Sequence, residues 1–380
     1  MNTVSSSART LWPASRAGAV LTVNLSAIAE NYRYLKSRLG KTACAAVVKA
    51  DAYGLGVAQV APVLEKAGAE HFFVAHVDEG LALRPFLSPH TSVTVLHGPR
   101  PRPDAAEVCV RNNLRPVLNS LEQVAVLRDL AAKMDKLLDV AIQLDTGMSR
   151  FGLSEADIHK LVASPELLKG LSVSLVMSHL ACADTPQNLA NTMQRERFEA
   201  YAHMLPQAAL SLSASSGIFL GPQFHFDLVR PGAALYGVAP QNEGDNPLKP
   251  VVGLQAHILQ IRHLSKGDQV GYGLTWQAHG PCRVATIATG YADGFARAGA
   301  AAGCAWYKGY RLPILGRISM DSMTVDLSAV PEGLLEEDGM VELLNASYGV
   351  DAVAKAEDTI GYEVLTSLGR RYHRVYAAAA

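Results

Sequence analysis

From residue 21 to about residue 240 one beat repeats along the chain. A short apolar, often β-branched run is followed by an amphipathic stretch, then by another run. The runs read as strands are 43–50, 71–75, 93–98, 115–118, 138–145, 171–178, 208–213 and 226–229. Helical spacing fills the gaps, clearest at 26–39 (with Ser26 as its N-cap), 121–134 and 188–205. Eight strands alternating with helices over this length predict a closed (β/α)8 barrel as an N-terminal α/β domain. An open doubly wound sheet is the rival. It would carry G-x-G-x-x-G after its first strand, whereas here the first run ends in Lys49.

The texture changes after Gly237. A polar, Pro-containing connector, 240–250, leads into runs at 251–263, 282–288, 303–314, 323–327 and 340–344 with no helices between them. They read as a C-terminal, mainly antiparallel β domain closed by a helix over 354–368. The early run 21–25 is expected to pair with that domain. The expected division is a mobile leader over 1–20, a barrel over 21–240 and a β-rich domain over 241–380. Ser and Ala richness, Arg9, Arg16 and the lack of acid loosely resemble a transit peptide, but Pro13 and the lack of an apolar run of useful length argue against export, which leaves a mobile leader.

Partner classes narrow with composition. A net charge of −1 provides no nucleic-acid footprint, and the 49% hydrophobic content forms no stretch long enough to span a membrane. Five scattered cysteines without C-x-x-C spacing argue against a disulfide framework or a metal site, and fit a reducing, cytoplasmic location. Small molecules are the expected partners.

Barrels of this kind carry their chemistry at the C-terminal ends of the strands. Lys49 ends the first run, with Tyr53 and a Gly-x-Gly turn behind it. That suits an amine able to form a Schiff base with an aldehyde cofactor. Asp145 to Arg150 follow the fifth run, His179 the sixth, Ser215 to Gly217 the seventh, and Arg230 to Gly232 the eighth. Each piece alone has a structural alternative: a solvated strand end for Lys49, a loop pin for Arg150, a core histidine for His179, a plain turn for Ser216 and a surface charge for Arg230. Their convergence on one rim favours a site, and loops after the last two strands often bind phosphate.

The segments AVVKADAYGLG, LDTGMSRFG, SHLACAD, SASSGIFLG, LVRPGAALYG, VGYGLTW and GRISMDSMTVD, in this order, resemble the pyridoxal-phosphate-dependent alanine racemases of fold-type III. The resemblance runs from about residue 20 to 370. It implies interconversion of L- and D-alanine by two bases, supplying D-alanine for peptidoglycan or D-alanine catabolism. Lys49 would hold pyridoxal 5'-phosphate and act as one base. Tyr272 would be the other, supplied by the second subunit of a homodimer. Arg230 would face the pyridine nitrogen, with His179 beside it. Tyr53, Ser216, Gly232 and Ala233 would cradle the phosphate. Arg150 and Met320 would hold the substrate carboxylate, and Asp321 would neighbour the second site. Lysine and tyrosine titrate near 10 to 10.4, so each base needs a depression of about two to three units, which Arg150 and Arg230 would promote.

Two departures from the family pattern stand out. Gln143 occupies the place of a lysine that many members carry as a carbamate, so Arg150 would have a neutral partner. The stretch Ser367 to Arg371 lacks the usual phosphate-side tyrosine, the next being Tyr372. A racemase for serine or a broader range of amino acids is the alternative of the same chemistry. The related barrel decarboxylases lack support here, since their glycine-rich phosphate loops and C-terminal cysteine motif are not evident. A pyridoxal-phosphate carrier without catalysis is the alternative of another class.

Overall fold

The computed structural model describes residues 12–335 and 339–377, so residues 1–11 of the expected leader lie outside the described residues. The rest of that segment carries a short turn, Ala14–Arg16, and the start of a strand, Ala19–Asn24. The chain divides into two compact units, Ala27–Lys249 and the combination of Met1–Ser26 with Pro250–Ala380.

In the unit Ala27–Lys249 the eight expected runs form parallel strands. The first is broken into Ala43–Cys44 and Ala46–Val47; then come His71–Val74, Ser92–Val95, Arg115–Leu118, Leu138–Gln143, Leu171–Met177, Ala209–Ser211 and Leu228–Val229. Each pairs in parallel with its successor from the first through the seventh. The ring then closes. Asp227 N–H donates to Leu210 O, Arg230 N–H to Ser213 O, and Leu228 and Val229 pair with Ala43 and Cys44. An open sheet is thereby excluded, and the closed barrel stands.

Strands covered on both faces need continuous apolar runs, and Phe72, Val95, Val117, Val140, Ile142 and Val176 are fully buried. Helices cover the outside. Leu121–Met134, capped by Ser120, packs Val124, Leu127 and Leu130 against strand residues Leu118, Val140 and Ile142. Each such side chain contributes about 1.5–3 kcal/mol on burial. The first helix, Leu25–Ser37, starts one residue earlier than expected, so Ser26 lies inside it and is not its N-cap. Its buried Tyr32 donates a hydroxyl shared between Cys44 O and Gly68 O, anchoring the helix to the first strand.

The other unit is built on one eight-stranded sheet. Its order is Cys282–Ile287, Met323–Asp326, Tyr310–Leu315, Cys304–Tyr307, Met340–Leu344, Val252–Leu264, Ala19–Asn24 and His373–Ala377. The 13-residue strand Val252–Leu264 also pairs with Cys282–Ile287, so the sheet curls back on itself. Every pairing is antiparallel except that between Ala19–Asn24 and His373–Ala377. The early strand thus pairs as anticipated. The expected strand 303–314 is instead a hairpin turning at Lys308 and Gly309, both with positive φ. The expected helix 354–368 is two helices, Val350–Glu357 and Gly361–Ser367, parted at Asp358, whose φ is +56°. No helix among the described residues is long and apolar enough to cross a membrane.

Candidate active site

Lys49 sits where the first barrel strand ends and the chain turns against its natural hand. Ala50, Asp51, Ala52 and Tyr53 all have φ between +52° and +58°. Left-handed helical residues with a Cβ cost roughly 1–2 kcal/mol each, so the turn persists only because its surroundings hold it. Asp51 Oδ1 accepts Val57 N–H at 2.9 Å, and Gly54 N–H closes onto Ala50 O at 2.7 Å. From outside, Glu79 accepts Ala50 N–H at 2.8 Å. Burial lowers the Lys49 pKa, Arg150 lowers it further, and Glu79 opposes them. Both leading effects favour the free amine.

The loop after the fifth strand is organised by one carboxylate. Asp145 Oδ1 accepts the N–H groups of Gly147, Met148 and Ser149 at 2.9–3.1 Å, which turns the chain and presents Arg150. The Arg150 guanidinium lies over the Phe151 ring, 5.7 Å from its centroid. Gln143 is buried at the strand end, but no hydrogen bond joins it to Arg150 among the described residues. Gln194, from the helix Ala190–Ala202, ties the next loop. It donates to Thr146 Oγ1 and His179 O and accepts Ala181 N–H at 2.8 Å. Burial first, then Arg230, Arg150 and Lys49, lower the His179 pKa to about 3. Its imidazole is neutral at physiological pH.

Arg230 is buried and held by neutral acceptors: Ser211 Oγ at 2.5 Å, Ser178 O at 2.6 Å and Leu212 O at 3.4 Å. Burial lowers its pKa to about 9, which leaves the guanidinium charged at neutral pH. It can donate to a ligand but does not act as a base.

Beside it lies a cradle for an anion. Ser215 Oγ accepts Gly232 N–H at 3.0 Å and Ala234 N–H at 3.2 Å. The N–H groups of Ser216, Gly217 and Ala233 find no acceptor among the described residues, and Gly217 and Ala233 are buried. A Cβ on Gly232 would overlap the Tyr53 hydroxyl and stand 3.0 Å from its Cζ, so only glycine allows that approach. Tyr53 in turn packs on Tyr236, ring centroids 4.8 Å apart. Unpaired buried donors with a phenol alongside fit a phosphate.

In the other unit, Tyr272 stands in a turn, Tyr272–Leu274, between two short paired strands, and is 67% exposed. Glycines at 271 and 273 supply the positive φ angles, and a Cβ at Gly273 would meet Arg317 Nη1 at 2.9 Å. Met320, 52% exposed, follows in the loop after Arg317. Tyr291 and Ala292 N–H groups bind Ser319 O and Met320 O at 3.0 Å, and Arg371 bridges Asp293 to Asp321.

The anticipated residues therefore fall into two groups. Lys49, Tyr53, Arg150, His179, Ser216, Arg230, Gly232 and Ala233 lie in loops at the C-terminal ends of the barrel strands; Tyr272 and Met320 lie on the second unit. Sequence reasoning missed Glu79, Gln194, His97 and Arg371, and placed Ser215 on the rim without assigning it a role. His97 stacks edge-on to His76 at 4.6 Å and lies 4.9 Å from Phe151. Glu79 sits at the third position of its helix, but His76 before it is not a capping-box residue, so the sequence carried no clear signal for it.

Family models for the alanine racemase N-terminal and C-terminal domains match residues 23–240 and 251–376. A catabolic alanine racemase of Mesorhizobium japonicum is 49% identical over 96% of this chain and 95% of its own length. An alanine racemase of Brucella ovis is 45% identical over 95% and 94%. Among solved structures, alanine racemase from Bartonella henselae with covalently bound pyridoxal phosphate superposes with a TM-score of 0.91. It is 38% identical, and the match covers 95% of this chain and 100% of that one.

Proposed function

We infer, from the premise that this chain belongs to the alanine racemase family, that it interconverts L- and D-alanine with pyridoxal phosphate, using Lys49 and Tyr272 as its two bases. It is an amino-acid racemase, an isomerase. The observation that carries the residue assignments is the rim of the barrel, where a pKa-lowered lysine, a buried arginine on neutral acceptors and an unpaired donor cradle lie on successive strand ends.

When bound, pyridoxal phosphate supplies an electron sink that acidifies the α-carbon of an attached amino acid. Lys49 is the group that attaches it covalently. Tyr53, Ser216, Gly232 and Ala233 receive the phosphate. Arg230 donates to the ring nitrogen and keeps its own proton, which restrains side reactions of a stronger sink. His179, neutral throughout, supports that end of the ring. Arg150 and Met320 receive the substrate carboxylate. Racemisation takes a proton from one face and returns one to the other, so a base on each face suffices. Lys49 Nζ serves one face and the Tyr272 hydroxyl the other.

The full reading is a homodimer in which Tyr272 and Met320 come from the partner subunit. Their exposure on the second unit supports it, and so does the family resemblance. The proposed location is the cytoplasm, consistent with five free cysteines. The catabolic relatives favour a catabolic role over peptidoglycan supply.

The deciding experiment incubates the protein with pyridoxal phosphate and a panel of L-alanine, serine, lysine and arginine, and follows D-isomer and carbon dioxide. D-alanine as the main product is expected. D-serine at comparable rates would shift the reading to a broader racemase, carbon dioxide to a decarboxylase, and unchanged amino acid with bound cofactor to a carrier. Borohydride trapping and peptide mapping should label Lys49, and Tyr272→Phe should impair the L-to-D direction most.

A further inference from the structure

The helix Val77–Leu83 begins behind Lys49, and its third residue, Glu79, does more than cap it. Glu79 Oε2 accepts Ala75 N–H at 2.7 Å and His76 N–H at 3.1 Å, the ordinary duty of an acid at this position. The other oxygen turns outward to the neighbouring loop and takes Ala50 N–H at 2.8 Å. Ala50 is the first of the four left-handed residues that follow Lys49. One carboxylate thus joins the ends of the first and second barrel strands at the point where the backbone is most strained.

We propose that Glu79 is the positioning residue for Lys49: its carboxylate holds the left-handed turn and fixes the angle at which the lysine leaves the strand. The inference deepens the function proposed above and rests on Lys49 being the reactive amine. A charge-assisted bond to an N–H is stronger than a neutral one, so Glu79 offsets part of the strain of the turn. Its negative charge, from the second strand end, also raises the Lys49 pKa while Arg150, from the fifth, lowers it, and His97 from the third and His179 from the sixth also feel the Lys49 charge.

Glu79→Gln tests whether both carboxylate oxygens and the charge are needed. The isosteric amide has one acceptor oxygen, so it keeps either the cap or Ala50 and faces the other with N–H against N–H. Three measurements apply. The first is amide hydrogen exchange over residues 49–57 in protein stripped of cofactor, which needs no activity. The second is the pH midpoint at which Lys49 becomes trappable by pyridoxal phosphate and borohydride. The third is kcat against KM for alanine. In Glu79→Gln, exchange at 50–53 should quicken about tenfold to a hundredfold. The trapping midpoint should move to lower pH, because a negative neighbour is lost, and kcat should fall about tenfold while KM changes little. Glu79→Ala, which loses both contacts, should exceed Glu79→Gln in exchange. Unchanged exchange and an unmoved midpoint in Glu79→Gln would overturn the proposal. Failure to trap Lys49 in the unaltered protein would overturn the functional reading instead, and the exchange experiment would still judge Glu79 as the holder of the turn.

Discussion

Arg371 grips Asp293 through two parallel bonds, Nε to Oδ1 at 2.7 Å and Nη2 to Oδ2 at 2.8 Å, and its third nitrogen donates to Asp321 at 2.6 Å. Asp293 is nearly buried and also accepts Gly290 N–H at 3.0 Å. The loops at 290–294, 319–321 and 369–372 are knitted further by Gly369 N–H and the Tyr372 hydroxyl, both donating to Asp293 O. The segment 369–372 is therefore an anchor for the Met320 loop.

Arg371→Ala should loosen that loop and leave Asp293 short of its cation. Arg371 is about a third exposed, so the loss of stability is discounted from a fully buried pair to roughly 2 kcal/mol. KM for alanine should rise more than kcat falls, because Met320 is assigned to substrate binding. Arg371→Lys should not rescue, since a point charge cannot make the forked contact. Steady-state kinetics with a denaturation curve check both statements; rescue by lysine would defeat the geometric one.

Gly232→Ala should weaken pyridoxal phosphate binding by about tenfold or more, a change of about 1.4 kcal/mol, because the added Cβ displaces the Tyr53 hydroxyl. In a Tyr53→Phe background the same change should cost less, the nearest atom then being Cζ at 3.0 Å. Cofactor titration of the four proteins gives the coupling directly. Equal penalties in both backgrounds would mean that the two residues do not share the site.

The barrel and most of its rim were legible in the sequence because strand ends deliver side chains to one place by rule, so Lys49, His179 and Arg230 could be found by counting runs. The left-handed turn was not. Ala50, Ala52 and Tyr53 have no preference for positive φ, and contacts such as those from Glu79 and Asp51 help to hold them there. Gln194 was hidden for a similar reason: its three bonds reach residues 13 to 48 positions away. The strand His373–Ala377 pairs with the other end of the chain and has no local signature. The hairpin at Lys308 and Gly309 is different, since a glycine between two alternating runs is a turn signal in the sequence itself.

His179 should carry no positive charge in any working range. With its pKa near 3, its imidazole resonances should stay those of the neutral ring from pH 8 down to about pH 5. Any limb of the pH–rate profile in that window then belongs to another group. A chemical-shift titration of selectively labelled histidine, assigned with His179→Gln, makes the test; a midpoint near 6.5 would mean that the site is open to water.

Glu357 links stability to pH. It ends the helix Val350–Glu357, is buried, and packs its Cγ 2.8 Å from where a Cβ on Gly299 would stand. Burial raises its pKa to about 7, against the Ala296 N–H that it accepts at 2.9 Å and with help from Glu363. An unfolded glutamate ionises near 4.3, so between that pH and about 7 the folded protein binds the extra proton. Folding is thus favoured most below the unfolded value, and the advantage is lost as pH rises through about 7. Above that, holding the buried charge costs about 1–3 kcal/mol. Glu357→Gln keeps an acceptor for Ala296 N–H and removes the titration. It should melt higher than the unaltered protein at pH 8 and match it near pH 4. Melting curves at the two pH values decide the matter: an equal difference at both would assign the effect to packing and remove the carboxyl from the argument.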